Sequence, residues 1–403
     1  MTNRPAGSER PRPRRVLLAL CATVFVDLLG FTAVLPSLPF HVGALGGTGA
    51  WLGAVLTAYS LAQAVAAPVL GRLADRYGRR RLLLLSLLGS AASLALMGAA
   101  GALWSLALAR LVAGACGGSI GVAQAFAVDV AGPAGRTRAV GLVGASVGLA
   151  FTVGPALGAL AAPLGFAAVA WTAAGLAAAN LVLAHLVLPA DQPRDAPPRD
   201  APPRSGARAR RLLVPWPLLV AGFAGMAAFV GMETTAAFLA QRRFDAGPAF
   251  VGWLLCGAGL CLVVVQGALV APAVRRWGEP RVAVAGALLT AAGLAAAPFA
   301  GLVGFVAAVL VLSAGNGFLT AGVTSLVAGA GPAAARGERL GQAQSTAAAA
   351  RVAGPLGSGA LFDVAVWAPY LLGAALSVGA AAVLRVRVVS DEGPVPTRSE
   401  DRL

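Results

Sequence analysis

Long apolar segments constrain this sequence more than any other feature. Twelve stretches of about 20 residues are almost free of charge, and 20 helical residues span a hydrocarbon core of about 30 Å. Only 12% of the 403 residues are charged, about half the ~25% usual in soluble domains. Because lipid does not solvate charge, we predict an all-α membrane protein. The predicted spans are residues 16–38, 50–70, 82–101, 103–127, 138–161, 164–188, 213–240, 249–272, 281–300, 303–330, 339–361 and 366–385.

The first span follows a basic flank, which raises the alternative of a cleaved signal peptide. Its apolar stretch is longer than the hydrophobic region of a signal peptide, and Asp27 lies in its middle. We therefore expect this segment to remain in the protein as the first transmembrane helix.

The distribution of arginine predicts the orientation of the chain. All 31 basic residues are arginine, and 27 of them fall in tails and alternate loops on one predicted side. Because cytoplasmic loops retain positive charge, both termini are predicted to be cytoplasmic. The net charge of +15 is therefore a topology signal, and we expect the lipid bilayer rather than nucleic acid as a partner.

A proline- and arginine-rich segment divides the chain. It contains the tandem repeat RDAPP-RDAPP and is too polar to bury a core, so we predict an extended linker. The predicted domains are a cytoplasmic N-terminal tail at 1–15, a six-helix bundle at 16–188, the linker at 189–212, a second six-helix bundle at 213–388 and a cytoplasmic C-terminal tail at 389–403.

The two halves resemble each other at an offset of 200 residues. The matches are Gly141 with Gly341, Gly154-Pro155 with Gly354-Pro355, and Arg76-Tyr77-Gly78 with Arg276-Trp277-Gly278. We therefore predict twelve transmembrane helices in two pseudo-symmetric six-helix bundles. Transporters built in this way bind substrate between the halves.

The loop between the second and third spans carries the most specific motif. Residues 71–81 read GRLADRYGRRR, with five arginines and one carboxylate. A positive-inside anchor alone would need the arginines, but not glycine and aspartate at fixed places. The loop resembles the G-x-L-A-D-R-x-G-R-R signature of the major facilitator superfamily. The matching positions include Gly71, Asp75, Arg76, Gly78 and Arg79.

The resemblance implies that this loop acts as a cytoplasmic latch. It places Asp75 near residues 337–340, at the N-terminus of the eleventh helix, where free N–H groups and the helix dipole would hold a carboxylate. It also implies that Arg79 pairs with Asp129 at the inner end of the fourth helix. Both contacts would stabilise the outward-facing state. The second-half copy lacks the matching glycine and aspartate, so we expect a one-sided latch.

A glycine- and proline-rich stretch lies in the fifth span. Close helix packing and a proline bend would explain these residues on structural grounds alone. The stretch also resembles the G-x-x-x-G-P-x-x-G-G signature of drug:proton antiporters, with Ala150 and Ala159 replacing two of its glycines. The residues of interest are Gly148, Gly154, Pro155 and Gly158, with Arg351, Gly354 and Pro355 in the second-half counterpart.

Asp27 is the first candidate for proton coupling. It lies about eleven residues into the first span, roughly 16 Å along a helix and near the midplane of the membrane. An ionised carboxylate is costly there, so this residue is suited to binding and releasing a proton. A structural ion pair is the alternative. The spacing D-x-x-G…P-x-x-P also resembles the first helix of tetracycline-type efflux proteins, whose aspartate handles substrate or protons.

Arg110 and Glu233 are two further candidates. Arg110, in the fourth span, resembles the R-x-x-x-G signature of proton-coupled members, and a buried arginine needs a carboxylate or water nearby. Asp27 or Glu233 would supply that carboxylate, and a snorkelling arginine is the alternative. Glu233, in the seventh span, would be a second proton carrier or a cation-recognition site, or would simply border water.

Arg351 in the eleventh span is expected to be buried and to need a partner. Five polar side chains within spans would either line the cavity or form interhelical hydrogen bonds: Gln63, Gln124, Gln266, Asn316 and Gln344. The sequence contains no phosphate loop and no cluster with metal-ligand spacing. We therefore predict neither an enzyme nor a cofactor, with the proton as the coupling ion.

These features predict a secondary transporter that exports a small, largely apolar organic compound in exchange for protons. A proton-coupled importer or exchanger of a metabolite on the same fold is the alternative, and a non-transporting membrane sensor or assembly factor is more remote. We expect a monomer, because one chain contains both halves. The resemblance implies location in a bacterial cytoplasmic membrane.

Overall fold

The computed structural model describes residues 13–189, 214–331 and 335–391. Within these ranges the chain forms fourteen α-helices and no strand. In chain order they are α1 (Pro13–Val34), α2 (Leu38–Ala44), α3 (Gly49–Tyr77), α4 (Arg79–Gly98), α5 (Leu103–Cys116), α6 (Ser119–Ala161), α7 (Phe166–Val187), α8 (Trp216–Phe244), α9 (Pro248–Val264), α10 (Val270–Trp277), α11 (Glu279–Ala296), α12 (Leu302–Gly329), α13 (Arg336–Val364) and α14 (Ala368–Asp391). A 3-10 turn (Ala162–Leu164) follows α6, and a π-helical turn (Val265–Leu269) joins α9 to α10.

Ten helical segments of the described residues are long and apolar enough to cross a membrane. This confirms an all-helical, multi-pass membrane protein. Two predicted spans, 281–300 and 339–361, are not among the ten. The corresponding helices are α11, which begins with charged residues, and α13, which carries glutamine, serine and arginine along its length.

Glycine interrupts the predicted helices at two places. The predicted span 103–127 is broken at Gly117 and Gly118, so that α5 ends before this pair and α6 begins after it. Gly132, with φ 68° and ψ −178°, then separates the two helical parts of α6. A side chain at this φ would be strained, which explains why glycine occupies the turn between the predicted fourth and fifth spans.

The internal repeat is visible in the backbone. Gly78 and Gly278 are 200 residues apart, have φ values of 100° and 79°, and immediately precede α4 and α11. Residues 144–161 of α6 and their counterparts, residues 344–361 of α13, also bury the same five positions. These positions are 150, 154, 155, 158 and 159 in α6, and 350, 354, 355, 358 and 359 in α13.

The described residues form two compact units. The first comprises residues 13–47, 58–189 and 246–256. The second comprises residues 48–57 and the described parts of 214–245 and 257–391. The units therefore differ from the predicted bundles at two short segments, 48–57 and 246–256. The predicted linker from residue 190 onward and most of both predicted tails lie outside the described residues.

Each unit has an apolar core built mainly from small and aliphatic side chains. In the first unit, Leu20 and Val24 of α1 pack with Leu83 of α4 and Phe126 of α6. In the second, α11 and α12 approach closely because glycines face the contact. A Cβ added at Gly293 would lie 2.6 Å from the carbonyl oxygen of Ala308. Such contacts favour helix association in lipid, where no hydrophobic force acts between helices.

Candidate functional site

Asp27 lies on α1 in the interior of the first unit. The residue is 4% exposed, and its Oδ2 accepts a hydrogen bond of 2.7 Å from the hydroxyl of Ser119. Its Oδ1 has no hydrogen-bond partner among the described residues. Ser119 is the first residue of α6, directly after the Gly117–Gly118 break. The break in the predicted fourth helix therefore brings a hydroxyl to one oxygen of the carboxylate and leaves the other free.

A small cavity adjoins this carboxylate. Its volume of about 30 Å³ is enough for one or two water molecules, and polar groups on its wall would bind them. The polar lining residues are Asp27, Tyr59, Gln63, Ser90, Ser93 and Ser119. The arrangement is suited to passing a proton between a water molecule and the carboxylate, because donor and acceptor groups surround the space.

Gln63 on α3 links the cavity wall to the helix break. Its Nε2 donates to the carbonyl oxygen of Gly117 over 2.9 Å and lies 3.1 Å from the hydroxyl of Tyr59. The break between α5 and α6 exposes carbonyl groups, and Gln63 satisfies one of them. The structure therefore places Gln63 beside Asp27, while also giving it an interhelical hydrogen bond.

Arg110 on α5 is also inside the first unit but does not pair with Asp27. The residue is 1% exposed, and its Nε and Nη2 have no hydrogen-bond partner within the described part of the chain. The guanidinium carbon lies 5.1 Å from the ring centroid of Phe31, in cation–π geometry. The predicted ion pair with Asp27 is therefore wrong for this structure: Ser119 contacts the carboxylate, and Phe31 lies against the guanidinium.

Glu233 lies on α8 in the second unit and is half-buried. No described residue of that unit gives it an ion pair or a hydrogen bond. The two residues that follow it, Thr234 and Thr235, are buried, and each donates to a carbonyl of its own helix. Its predicted role in proton or cation binding stays a prediction.

Arg351 is exposed, so the prediction that this arginine is buried is wrong. It is near the middle of α13, which runs from Arg336 to Val364, and it has no ion pair among the described residues. The equivalent position in the first half, Phe151, is 42% exposed. In each half, the side chain at this position, 151 or 351, therefore lies outside the helix contacts of its own unit.

The other predicted polar residues are dispersed. Gln124 is half-buried, and Gln266 is exposed in the π-helical turn. Asn316 is buried, and its Oδ1 accepts a long hydrogen bond of 3.4 Å from Thr320. Gln344 is exposed and lines a second-unit cavity of about 110 Å³ between α8, α12 and α13. This cavity is mostly apolar, with a few hydroxyl groups such as that of Thr320.

The glycines of the fifth-span motif pack α6 against α1. A Cβ added at Gly154 would overlap the hydroxyl of Thr32, and one at Gly158 would overlap the carbonyl of Ala33. Thr32 donates to the carbonyl oxygens of Leu28 and Ala150 at 2.7 and 3.0 Å. Around Gly148, by contrast, there is open space. Close packing therefore accounts for Gly154 and Gly158. Their contacts on α1, at Thr32 and Ala33, lie one to two turns beyond Asp27.

In the second half, Gly354 is the counterpart of Gly154, with Pro355 following it inside α13. A Cβ at Gly354 would lie 3.1 Å from the carbonyl oxygen of Ala227 on α8. Both halves thus use this glycine for a close approach between two helices of the same unit.

The expected ion pair of the cytoplasmic latch is present. Arg79 Nε lies 2.5 Å from Asp129 Oδ2, and its Nη2 lies 3.5 Å from Asp75 Oδ1. Gly78 has the positive φ that turns the chain into α4, whereas Gly71 has open space around it. Arg76 lies over the ring of Tyr77. The position of Asp75 near residues 337–340 stays a prediction, because those residues belong to the other unit.

Ser119 and Phe31 were not identified from the sequence. A signal for Ser119 was available, because a Gly-Gly pair followed by serine is typical of a helix that stops and restarts. Phe31 had no such signal: it lies one turn after Asp27, but nothing in the sequence pairs it with Arg110.

Comparison with known proteins shows which family the chain resembles. Residues 20–270 match the family model described as Major Facilitator Superfamily. The chain is 29% identical to the Escherichia coli "Tetracycline resistance protein, class C" over 320 residues, covering 76% of this chain and 80% of the relative. It is 30% identical to the Escherichia coli class E protein over 291 residues, covering 70% and 71%. A solved structure of the human organic anion transporter MFSD10 (TETRAN) superposes with a TM-score of 0.65 at 26% identity, covering 93% of this chain and all of that one.

Proposed function

The chain belongs to the Major Facilitator Superfamily, and we propose that it exports a small, largely apolar organic compound in exchange for protons by alternating access. The observation that carries the proposal is the buried carboxylate of Asp27, with one oxygen bound by Ser119 and the other free beside a water-sized cavity. Relatives named as tetracycline resistance proteins support export of a drug-like compound.

Proton exchange would take place at Asp27. In the interior of a membrane protein the ionised carboxylate is not hydrated, and the hydroxyl of Ser119 compensates only part of the lost hydration. Protonation of the free Oδ1 removes the charge, and release into the adjacent cavity restores it. Each protonation state would favour a different access state of the transporter, because the cost of an unpaired charge depends on its surroundings.

The lining of the second-unit cavity supports the proposed substrate class. The second-unit cavity is lined mainly by aliphatic residues, with a few hydroxyl and amide groups that would orient a polar substituent. We further propose twelve transmembrane helices, with α11 and α13 spanning the membrane, both termini in the cytoplasm of a bacterial cell, and a monomer without a cofactor.

Replacement of Asp27 by asparagine tests the proposal. In everted membrane vesicles, we expect Asp27→Asn to abolish uptake of a test compound such as tetracycline when a proton gradient is applied. Exchange of labelled against unlabelled compound, which needs no net proton movement, should remain within a few-fold of the wild type. Proton-driven uptake at the wild-type rate in the variant would disprove the proposal.

The exposed Asp245 supplies a matched control. Asp245→Asn makes the same chemical change, and asparagine tolerates its positive φ of 52°. We expect this control to keep proton-driven uptake. The direction of proton movement in proteoliposomes further separates the exporter from an importer of a metabolite, since the two change internal pH with opposite sign.

A second candidate function is transport of an organic anion. Arg351 is exposed near the middle of α13, and no acidic side chain among the described residues pairs with it. An arginine at that depth is costly against lipid, so it should face a water-filled path, where it would attract an anion. A human structural neighbour is named as an organic anion transporter.

Substrate charge distinguishes the two candidates. If the substrate is an anion, Arg351→Gln should reduce transport of anionic compounds at least tenfold while Arg351→Lys retains much of it. Neutral and cationic compounds should be poor substrates. Equal transport of neutral compounds by the wild type and Arg351→Gln would exclude the anion function and favour the first candidate.

A further inference from the structure

We propose that Asp363 is an outer latch, which holds the first turn of α3 against α13 in one access state and releases it in the other. The proposal rests on the alternating access of the proposed function. "Outer" here means the end of α3 that lies opposite to the arginine-rich loop at residues 71–81.

The contact is a carboxylate on two backbone donors. Asp363 Oδ1 accepts the N–H of Gly49 over 2.7 Å, and Oδ2 accepts the N–H of Ala50 over 2.8 Å. Gly49 is the first residue of α3, and the first N–H groups of a helix have no partner inside it. They also carry the positive end of the helix dipole. Asp363, from the last turn of α13, therefore caps α3 although it is more than 300 residues away in the chain.

Beside this cap, the two helices touch backbone to backbone. A Cβ added at Gly49 would lie 2.6 Å from the carbonyl oxygen of Gly359, and one at Gly53 would lie 3.0 Å from the carbonyl carbon of Pro355. One turn further, the hydroxyl of Thr57 donates to the carbonyl oxygen of Val352 over 2.9 Å. We call this contact of residues 49–57 with 352–363 the α3–α13 seam.

The seam lies on a helix that two units share. Residues 48–57 of α3 belong to the second unit, whereas its remaining residues belong to the first. Because α3 is one continuous helix, Asp363 binds the second-unit end of a helix whose other residues belong to the first unit. The cap therefore lies at a position where a change of access state could break it.

The two carboxylates have reciprocal positions. Asp75 is near the C-terminal end of α3, and the family resemblance assigns it to the N-terminus of α13. Asp363 is near the C-terminal end of α13 and caps the N-terminus of α3. Each helix would thus supply the acid that binds the N-terminus of the other. In this structure Asp363 caps α3, and we propose that Asp75 makes its contact in the other access state.

Only one of the two repeats has the acid. In the first unit, Gly252 of α9 approaches the carbonyl oxygen of Pro155 in the same way that Gly53 approaches Pro355, with a Cβ position 2.6 Å away. The position equivalent to Asp363 is Pro163, which has no side-chain acceptor. The glycine contact is therefore repeated, whereas the charged cap is specific to the α3–α13 seam.

A distance measurement tests the latch without any substrate. The four cysteines are replaced by alanine, and spin labels are attached at Ala44→Cys and Val303→Cys, two exposed positions outside the seam. In lipid nanodiscs, pulsed electron resonance then gives the populations of docked and undocked molecules. We expect Asp363→Ala to lower the docked-to-undocked ratio about 5- to 30-fold, equivalent to about 1–2 kcal/mol.

Further variants separate the latch from a general loss of structure. Asp363→Asn should have a smaller effect, because its amide oxygen still accepts one N–H. Gly49→Ala, which crowds the same contact, should shift the ratio in the same direction as Asp363→Ala. Asp245→Asn, an exposed charge removed elsewhere in the second unit, should leave the ratio unchanged.

The proposed alternation of Asp363 and Asp75 makes a separate prediction. Asp75→Ala alone should raise the docked population, and the double variant with Asp363→Ala should return toward the wild-type ratio. An unchanged ratio in Asp363→Ala and Gly49→Ala, or an equal shift in Asp245→Asn, would overturn the latch. A double variant that stays at the Asp363→Ala value would overturn the pairing with Asp75. Because the readout needs no transport, a failure of drug export would not imitate either result.

Discussion

At the scale of single residues, the first unit keeps two buried charged groups apart. Asp27 is bound by Ser119, and Arg110 lies against the ring of Phe31. Each keeps polar atoms without a partner among the described residues. A direct ion pair would give these polar atoms partners. Because Asp27 and Arg110 are not paired, the carboxylate can gain or release a proton without first breaking a contact with the arginine.

Ser119 offers a test at this scale. Ser119→Ala removes the 2.7 Å hydrogen bond from the Ser119 hydroxyl to the Asp27 carboxylate, and a hydrogen bond to a charged group contributes about 1.5–3 kcal/mol. We expect proton-driven transport to fall about tenfold or more, and Ser119→Thr to restore it. Initial rates in everted vesicles measure the effect. Ser377→Ala is the control, because that buried hydroxyl donates to the carbonyl of Gly373 in its own helix. An equal loss there would contradict a specific role for Ser119.

The sequence predicted the burial of Asp27 and Arg110 but not their neighbours. A carboxylate in the middle of an apolar run has to be buried somewhere in a bundle, whatever the rotation of the helix. Its partners depend on that rotation, which an alanine- and leucine-rich background does not define. The same limitation explains Arg351, whose exposure is set by the face of α13 that packs on α8.

At the scale of helices, glycine decides where segments break and how closely they approach. The sequence predicted the apolar segments themselves, because length and hydropathy are local properties. It did not predict the break at Gly117–Gly118. A Gly-Gly pair before serine is typical of a helix stop, but two glycines are also tolerated inside a helix unless tertiary contacts favour the stop. Here Gln63 and Ser119 supply such contacts, by bonding the carbonyl of Gly117 and the carboxylate of Asp27.

The motif glycines of α6 can be ranked by the space around them. A methyl group at Gly158 would overlap the carbonyl of Ala33, and overpacking of this kind costs about 1–3 kcal/mol. We expect Gly158→Ala to lower the thermal unfolding midpoint of the purified protein in detergent. Gly148→Ala, which has open space around it, should keep or slightly raise the midpoint because alanine favours helix. A similar loss in both variants would refute the packing explanation.

At the scale of the whole molecule, the number of crossings is the main open expectation. Ten segments of the described residues qualify as spans by length and composition, and the alternating arginines predict that α11 and α13 cross as well. Both helices have partners inside their unit, so charged or polar residues on them need not face lipid. If both cross, hydropathy alone undercounts transmembrane helices whose polar faces pack against other helices.

Labelling from outside the cell tests these two crossings. Single cysteines are placed in a cysteine-free background at Trp277 and Phe299, which flank α11, and at Glu338 and Trp367, near the two ends of α13. A membrane-impermeant maleimide should label the positions at 299 and 367 but reach 277 and 338 only after the membrane is permeabilised. Labelling of both members of a pair from the outside would show that the helix between them does not cross.

The matching burial of α6 and α13 has a consequence for how new specificity arises. At the five buried positions within residues 144–161 and 344–361, the two copies still hold only small residues or proline: Ala, Gly, Pro, Gly and Ala in one, and Ala, Gly, Pro, Ser and Gly in the other. The exposed positions have diverged in size and charge, as with Gly144 and Gln344 or Phe151 and Arg351. Selection for a new compound can thus act on exposed positions without disturbing the packing. Laboratory evolution of this chain should accumulate its specificity-changing substitutions there, and leave the glycine and proline positions as they are.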